Sequence, residues 1–230
     1  MVNEVESRFL ATPEKGEVSA LLLTAETPRA LLVLGHGAGA GMRHKNLQAV
    51  SEELAARGIS TFRYQFPFRE RGGGRDSEAV SLATVRSAVR EARRLYPALP
   101  LFAGGHSFGG RMTSLAAAKR GGAEDPMNTL SGMVYFNFPL HAPGRASDHR
   151  AAHLGDVVLP QLFLSGTRDS LAKLELLEPV VARTKDATLH KLDTADHGFK
   201  VLKRTRTSPE SAIEEACRIA AAWMEGLVPG

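Results

Sequence analysis

Residues 104–110 read Gly-Gly-His-Ser-Phe-Gly-Gly and set Ser107 in a G-x-S-x-G frame, after the apolar run 99–104 and before the helix-like run 111–119. A serine on such a tight strand-to-helix turn projects its hydroxyl outward, and the glycines at 105 and 109 leave room for neighbouring backbone. The helix that follows aims its first amides at whatever the serine attacks. A lone hydroxyl is a poor nucleophile, so it needs a base, and the base must be held by a third group. Both follow downstream. Asp169 closes Leu164-Ser-Gly-Thr-Arg-Asp169, just past an apolar run, and His197 lies in Asp193-Thr-Ala-Asp-His-Gly-Phe199. Asp193 and Asp196 are rivals for the carboxylate, but they sit so close to His197 in sequence that reaching the far side of its ring would be awkward. The chemistry these residues could perform together is acyl transfer.

A tetrahedral intermediate needs donors for its oxyanion. The glycine-rich turn Leu34-Gly-His-Gly-Ala-Gly-Ala-Gly41 lies well upstream of the elbow, so the amides of Ala38 and of Phe108, the residue after the nucleophile, are the expected pair. His36 and His106 flank the reactive turns, where the plainer reading is packing or bonding to loop backbone. His36 and Gly37 nevertheless stand with His141 and Arg71 as candidate substrate contacts. Arg69, Arg71 and Arg75 surround the Gly72–Gly74 run in what reads as a mobile solvated loop. They would favour substrates carrying a carboxylate or phosphate, which Arg binds bidentately.

These residues need a scaffold of parallel strands whose carboxyl ends meet in one crevice. Short apolar runs alternate with amphipathic or alanine-rich ones, the rhythm of a mostly parallel sheet covered on both faces. Strands are expected over 18–24, 30–35, 59–64, 99–104, 132–138, 161–165 and 188–192. Helices are expected over 46–57, from Asp76 as N-cap to Tyr96, over 111–119, over 171–183, and from Ser208 to near the end, with Pro209 at the first position.

The chain order Ser, Asp, His, with the glycine turn ahead of them, resembles the α/β-hydrolase superfamily over nearly the whole length. It looks most like the small lidless members, the dienelactone-hydrolase-like group, and within it a testis-expressed-protein type with a similar His-Gly-Ala-Gly start. The resemblance implies a single α/β domain over 1–230 and hydrolysis of an acyl ester or thioester through an acyl-enzyme, without metal or cofactor. Dienelactone hydrolases use cysteine where this chain has Ser107, so their substrate does not carry over. The span from Tyr135 to Asp169 is too short for a large helical cap, and residues 141–150 would form one wall of a shallow pocket. Perhydrolase or acyltransferase activity would use the same residues, and a catalytically silent interaction module is the reading from another class, since fold does not fix function.

Composition narrows the rest. Of 230 residues, 43% are hydrophobic and 23% charged, values of an ordinary globular protein rather than a disordered one. The net charge of +4 is spread along the chain, which gives no nucleic-acid tract. No apolar run approaches the roughly 20 residues of a membrane span. The single cysteine, Cys217, reads as helix packing, and with an N-terminus unlike a signal peptide it leads to the expectation of a cytoplasmic protein, monomeric or homodimeric, acting on a small acyl substrate. Residues 35–40 also fit the G-x-G-x-x-A dinucleotide fingerprint, but the next strand ends Phe62-Arg-Tyr-Gln-Phe66 with no acid for a ribose. His149 and His153 have zinc-protease spacing, but Arg150 stands where the glutamate would be.

Overall fold

The computed structural model describes residues 3–228. Strand β3 (Ala30–Gly35) is wholly buried and shows why the sheet is covered on both sides. Leu31 and Val33 join one apolar cluster and Leu32 and Leu34 the other, as the two-residue period of a strand requires. Six strands run parallel: β4 (Ile59–Tyr64), β3, β5 (Leu101–His106), β6 (Gly132–Phe136), β7 (Gln161–Gly166) and β8 (Ala187–Leu192). An antiparallel pair, β1 (Asn3–Thr12) and β2 (Gly16–Thr24), extends the β4 side, giving the order β1-β2-β4-β3-β5-β6-β7-β8.

One face carries α3 (Glu78–Leu95), α4 (Phe108–Ala118) and α5 (Leu174–Arg183), and the other carries α1 (Lys45–Ala55) and α6 (Ala212–Glu225). Cys217 is buried between α6 and α1, with Val50 carbonyl as its neighbour and its thiol pKa pushed up by burial. The chain crosses from the β4 side to the β5 side of β3, and a crevice opens at the carboxyl ends where strand order reverses.

Several boundaries differ from the sequence expectation. Strand β1 was not anticipated, because of its residues 4–12 only Phe9, Ala11 and Thr12 are buried and β2 supplies its partner. The stretch before the triple glycine is not a free loop: Pro67–Arg71 is a short helix, α2, whose Glu70 accepts from Ser19 amide and hydroxyl and from Arg8. Helix α3 is capped by Ser77, not Asp76, and α6 by Ser211, not Ser208, with Ser211 and Glu214 forming a reciprocal capping box. Strand β6 stops at Phe136 because Asn137 turns to φ 53°.

Candidate active site

The elbow follows from a close approach of backbones. A Cβ on Gly109 would lie 2.3 Å from Gly35 carbonyl carbon, and one on Gly104 would lie 1.7 Å from Val134 oxygen, so helix α4 seats on β3 and β5 meets β6 only with glycine at both places. Ser107, between β5 and α4, has φ 52° and ψ −115°, a strained conformation for a residue with a Cβ. Its amide donates to Phe136 carbonyl at 3.0 Å and holds the turn.

The hydroxyl of Ser107 lies 2.9 Å from His197 Nε2, and His197 Nδ1 lies 2.8 Å from Asp169 Oδ2. A carboxylate only accepts, so Nδ1 carries the ring proton and Nε2 is free to accept from the serine. Asp169 is buried in the turn after β7, and its Oδ1 accepts from Leu171 amide at 2.8 Å. The two rival aspartates are occupied elsewhere. Asp196 Oδ1 accepts from the amides of Gly198 and Lys200 and folds the turn that carries His197, while Asp193 accepts from Thr207 amide.

Asn137, which sequence reasoning passed over, and His106, bonded to loop backbone as its plainer reading has it, hold the histidine loop. His197 carbonyl accepts from Asn137 Nδ2 at 3.1 Å and from His106 Nε2 at 3.0 Å, while Asn137 Oδ1 accepts from Gly166 amide. The one legible signal was a lone Asn at the end of an apolar strand. Burial, and then the nearby His197, lower the His106 pKa to about 4, so its ring is neutral and donates.

A cleft of about 690 Å³ opens over Ser107, walled by Ala38, Gly39, Phe108, Pro139, Ala142 and Leu171 among others. Among the described residues no acceptor takes up the Ala38 or Phe108 amide. Both residues line the cleft together with Ser107. The Phe108 ring is wedged against Phe66 and Phe68, at centroid distances of 5.2 and 5.8 Å, which fixes the first turn of α4. The 141–150 wall contributes Ala142, Pro143 and Arg150.

The candidate substrate contacts fare differently. Gly37 sits behind the serine, where a Cβ would touch Ser107 Cβ at 3.8 Å and crowd His106 Nδ1 at 3.2 Å. His36 does not reach the cleft. It is fully buried, donates from Nδ1 to Gly37 carbonyl and accepts Phe66 amide at Nε2, joining the loops after β3 and β4. His141 is buried too, its Nδ1 bonded to Ala142 carbonyl, and the next two residues, Ala142 and Pro143, face the cleft in its place. Arg71 points away, bonded to Asp76 and Lys15 carbonyl, so of its loop only Arg75 lines the cleft. His149 is exposed, and His153 instead bonds Ser114 at 2.7 Å.

Burial also lowers the His36 pKa to about 4. Between about pH 6.5 and 4 the unfolded chain binds a proton at this site that the folded one does not, so stability falls as pH falls through that window. From pH 7 to pH 5 His36 is expected to withdraw on the order of 2 kcal/mol. Urea titrations at the two pH values measure it, and the His36→Gln variant should show a correspondingly smaller difference.

Residues 28–225 match the model of a family described as alpha/beta hydrolase domain. Human monoglyceride lipase is 32% identical over 148 residues, 60% of this chain and 45% of that protein, so the chain spans less than half its length. Dienelactone hydrolase from Anabaena variabilis superposes with TM-score 0.78 at 16% identity, covering 99% of both chains. Est1E from Butyrivibrio proteoclasticus does so with TM-score 0.71 at 16% identity, covering 96% of this chain and 98% of its own. At such identities these two structures speak for the fold. The family match runs from just before β3 to the last residue of α6 and takes in every strand of the parallel sheet, and on that extent the chain belongs to the alpha/beta hydrolase domain family.

Proposed function

We propose that the protein is a serine hydrolase that cleaves a small acyl ester or thioester through an acyl-enzyme. Ser107 attacks the acyl carbonyl while His197 Nε2 takes its proton, and Asp169 holds the ring and stabilises the imidazolium. The amides of Ala38 and Phe108 donate to the oxyanion, and removing one such donor typically costs about 10²–10³ in rate. His197 then protonates the leaving group. Water, deprotonated by the same nitrogen, attacks the acyl-enzyme and returns the serine.

The observation that carries this reading is the unbroken hydrogen-bond sequence from Ser107 through His197 to buried Asp169 at the mouth of an open cleft. A monoglyceride lipase and a dienelactone hydrolase, similar to this chain, act by their names on an ester and a lactone.

A fluorophosphonate probe tests the reading without knowledge of the substrate. The wild-type protein is expected to label at Ser107, and labelling should vanish in Ser107→Ala and His197→Ala. A folded wild-type protein that resists the probe would overturn the reading and turn attention to an interaction module.

A further inference from the structure

Three arginines converge on the cleft that holds Ser107: Arg75 from the segment after α2, Arg111 on α4, and Arg150 on the 3₁₀ turn His149–Asp156. None of them has a carboxylate partner or side-chain hydrogen bond among the described residues, and Arg111 Nε is buried without an acceptor. The acidic side chains nearby are engaged with other cations. Asp76 pairs with Lys15 and Arg71, Glu78 with Lys119, and Asp148 with Arg183. Arg111 is half-buried, and its pKa is lowered by that burial and then by the charges of Arg150 and Arg75, with Glu78 pulling the other way, so both other guanidiniums lie within electrostatic reach of it.

Packing holds the cluster in place. His153, on the same 3₁₀ turn as Arg150, donates from Nε2 to Ser114 Oγ on α4 at 2.7 Å, while Ser114 donates to the carbonyl of Arg111 itself. Burial lowers the His153 pKa to about 4, so this link is a neutral one and adds no fourth cation. The turn bearing Arg150 is thus fastened to the helix bearing Arg111.

Like charges gathered with no carboxylate bonded to them repel, and a concave site lined mainly by one sign concentrates ligands of the other. Arginine binds carboxylate and phosphate through paired N–H donors. Arg111 stands one turn along α4 from the nucleophile, about 6 Å of axial rise, so an anion held there lies a few bonds from the scissile carbonyl.

We propose that Arg75, Arg111 and Arg150 form an anion subsite, and that the substrate is a short acyl ester or thioester bearing a carboxylate or phosphate group. The reaction named here rests on the serine-hydrolase reading above, whereas anion binding by the subsite does not.

Two measurements separate the two. Calorimetry on the Ser107→Ala variant compares monomethyl glutarate, dimethyl glutarate and inorganic phosphate. The monoanion is expected to bind at least tenfold tighter than the neutral diester, and to lose at least tenfold in Arg111→Gln and Arg150→Gln backgrounds, with partial recovery in Arg150→Lys. Phosphate binding tighter than the monocarboxylate would assign the subsite to phosphorylated substrates. In wild-type protein, the ratio of kcat/KM for the 4-nitrophenyl hemiester of glutarate to that for 4-nitrophenyl pentanoate is expected to exceed ten and to fall toward one in Arg111→Gln. Should Arg111→Gln fail to fold, the exposed Arg75→Gln provides the same comparison with a smaller drop. Equal binding of anion and neutral ester, or a preference that survives all the arginine substitutions, would overturn the subsite. Failed fluorophosphonate labelling with selective anion binding intact would overturn the reaction and leave the subsite standing.

Discussion

Replacing Ser107 by alanine is expected to lower kcat about a millionfold on the best ester substrate, and replacing His197 by alanine is expected to cost nearly as much. The double variant should be scarcely worse than either single one, because the hydroxyl without its base and the base without its hydroxyl are equally idle. A residual rate of about 10³–10⁴ over water should persist through the Ala38 and Phe108 amides, which neither substitution touches. Steady-state kinetics on the two single variants and the double variant check this. Losses that multiply would show that Ser107 and His197 act independently, contrary to their 2.9 Å hydrogen bond. Alanine at 107 keeps the Cβ and the amide bond to Phe136 carbonyl, so the elbow itself should survive.

The elbow was legible because its demands fall on glycines within one short frame, although the backbones they admit come from Gly35 and Val134. Close backbone contacts at 104 and 109 admit only glycine, and that requirement is written in the residues themselves. Strands β3 and β4 were legible to the residue because they are buried on both faces and read as continuous apolar or β-branched runs ended by glycine or a turn. Arg63 is the exception inside β4. It is fully buried, pairs with Glu4 of β1 and donates to Met42 carbonyl, so a charge in a core strand is explained only once the unanticipated edge strand is present.

What was not legible depends on tertiary placement. A five-residue helix such as α2 carries too little periodicity to announce itself, and its Glu70 is fixed by side chains 51 and 62 residues away. The cap of α6 was misplaced among Ser208 and Ser211, although Glu214 three residues after Ser211 was the available sign. Arg111 and Arg150 look like ordinary helix-surface charges in sequence. Only the seating of α4 on Gly35, and of the 149–156 turn on α4, turns both toward Ser107. In the same way His36 and His141 lie beside the right motifs, yet each is used to tie backbone and never reaches the cleft.

Asp169→Asn is expected to lower kcat about ten-thousandfold while leaving the protein folded. The reason lies in the second oxygen of the carboxylate. Oδ1 accepts Leu171 amide at 2.8 Å and Oδ2 faces His197 Nδ1. An asparagine that keeps its oxygen on Leu171 must point its NH₂ at His197, which then carries its proton on Nε2 and has nothing to receive one from Ser107. Turning the amide over restores the tautomer only by setting NH₂ against the part-buried Leu171 N–H, a mismatch costing on the order of 1 kcal/mol or more. The Leu171 amide therefore locks the inactive tautomer in place. The comparison is with Asp193→Asn, whose carboxylate serves Thr207 amide and not the ring, and which should stay within a few-fold of wild type. A large loss in Asp193→Asn with little in Asp169→Asn would assign the orienting carboxylate to the wrong strand end and undo the proposed mechanism at that residue.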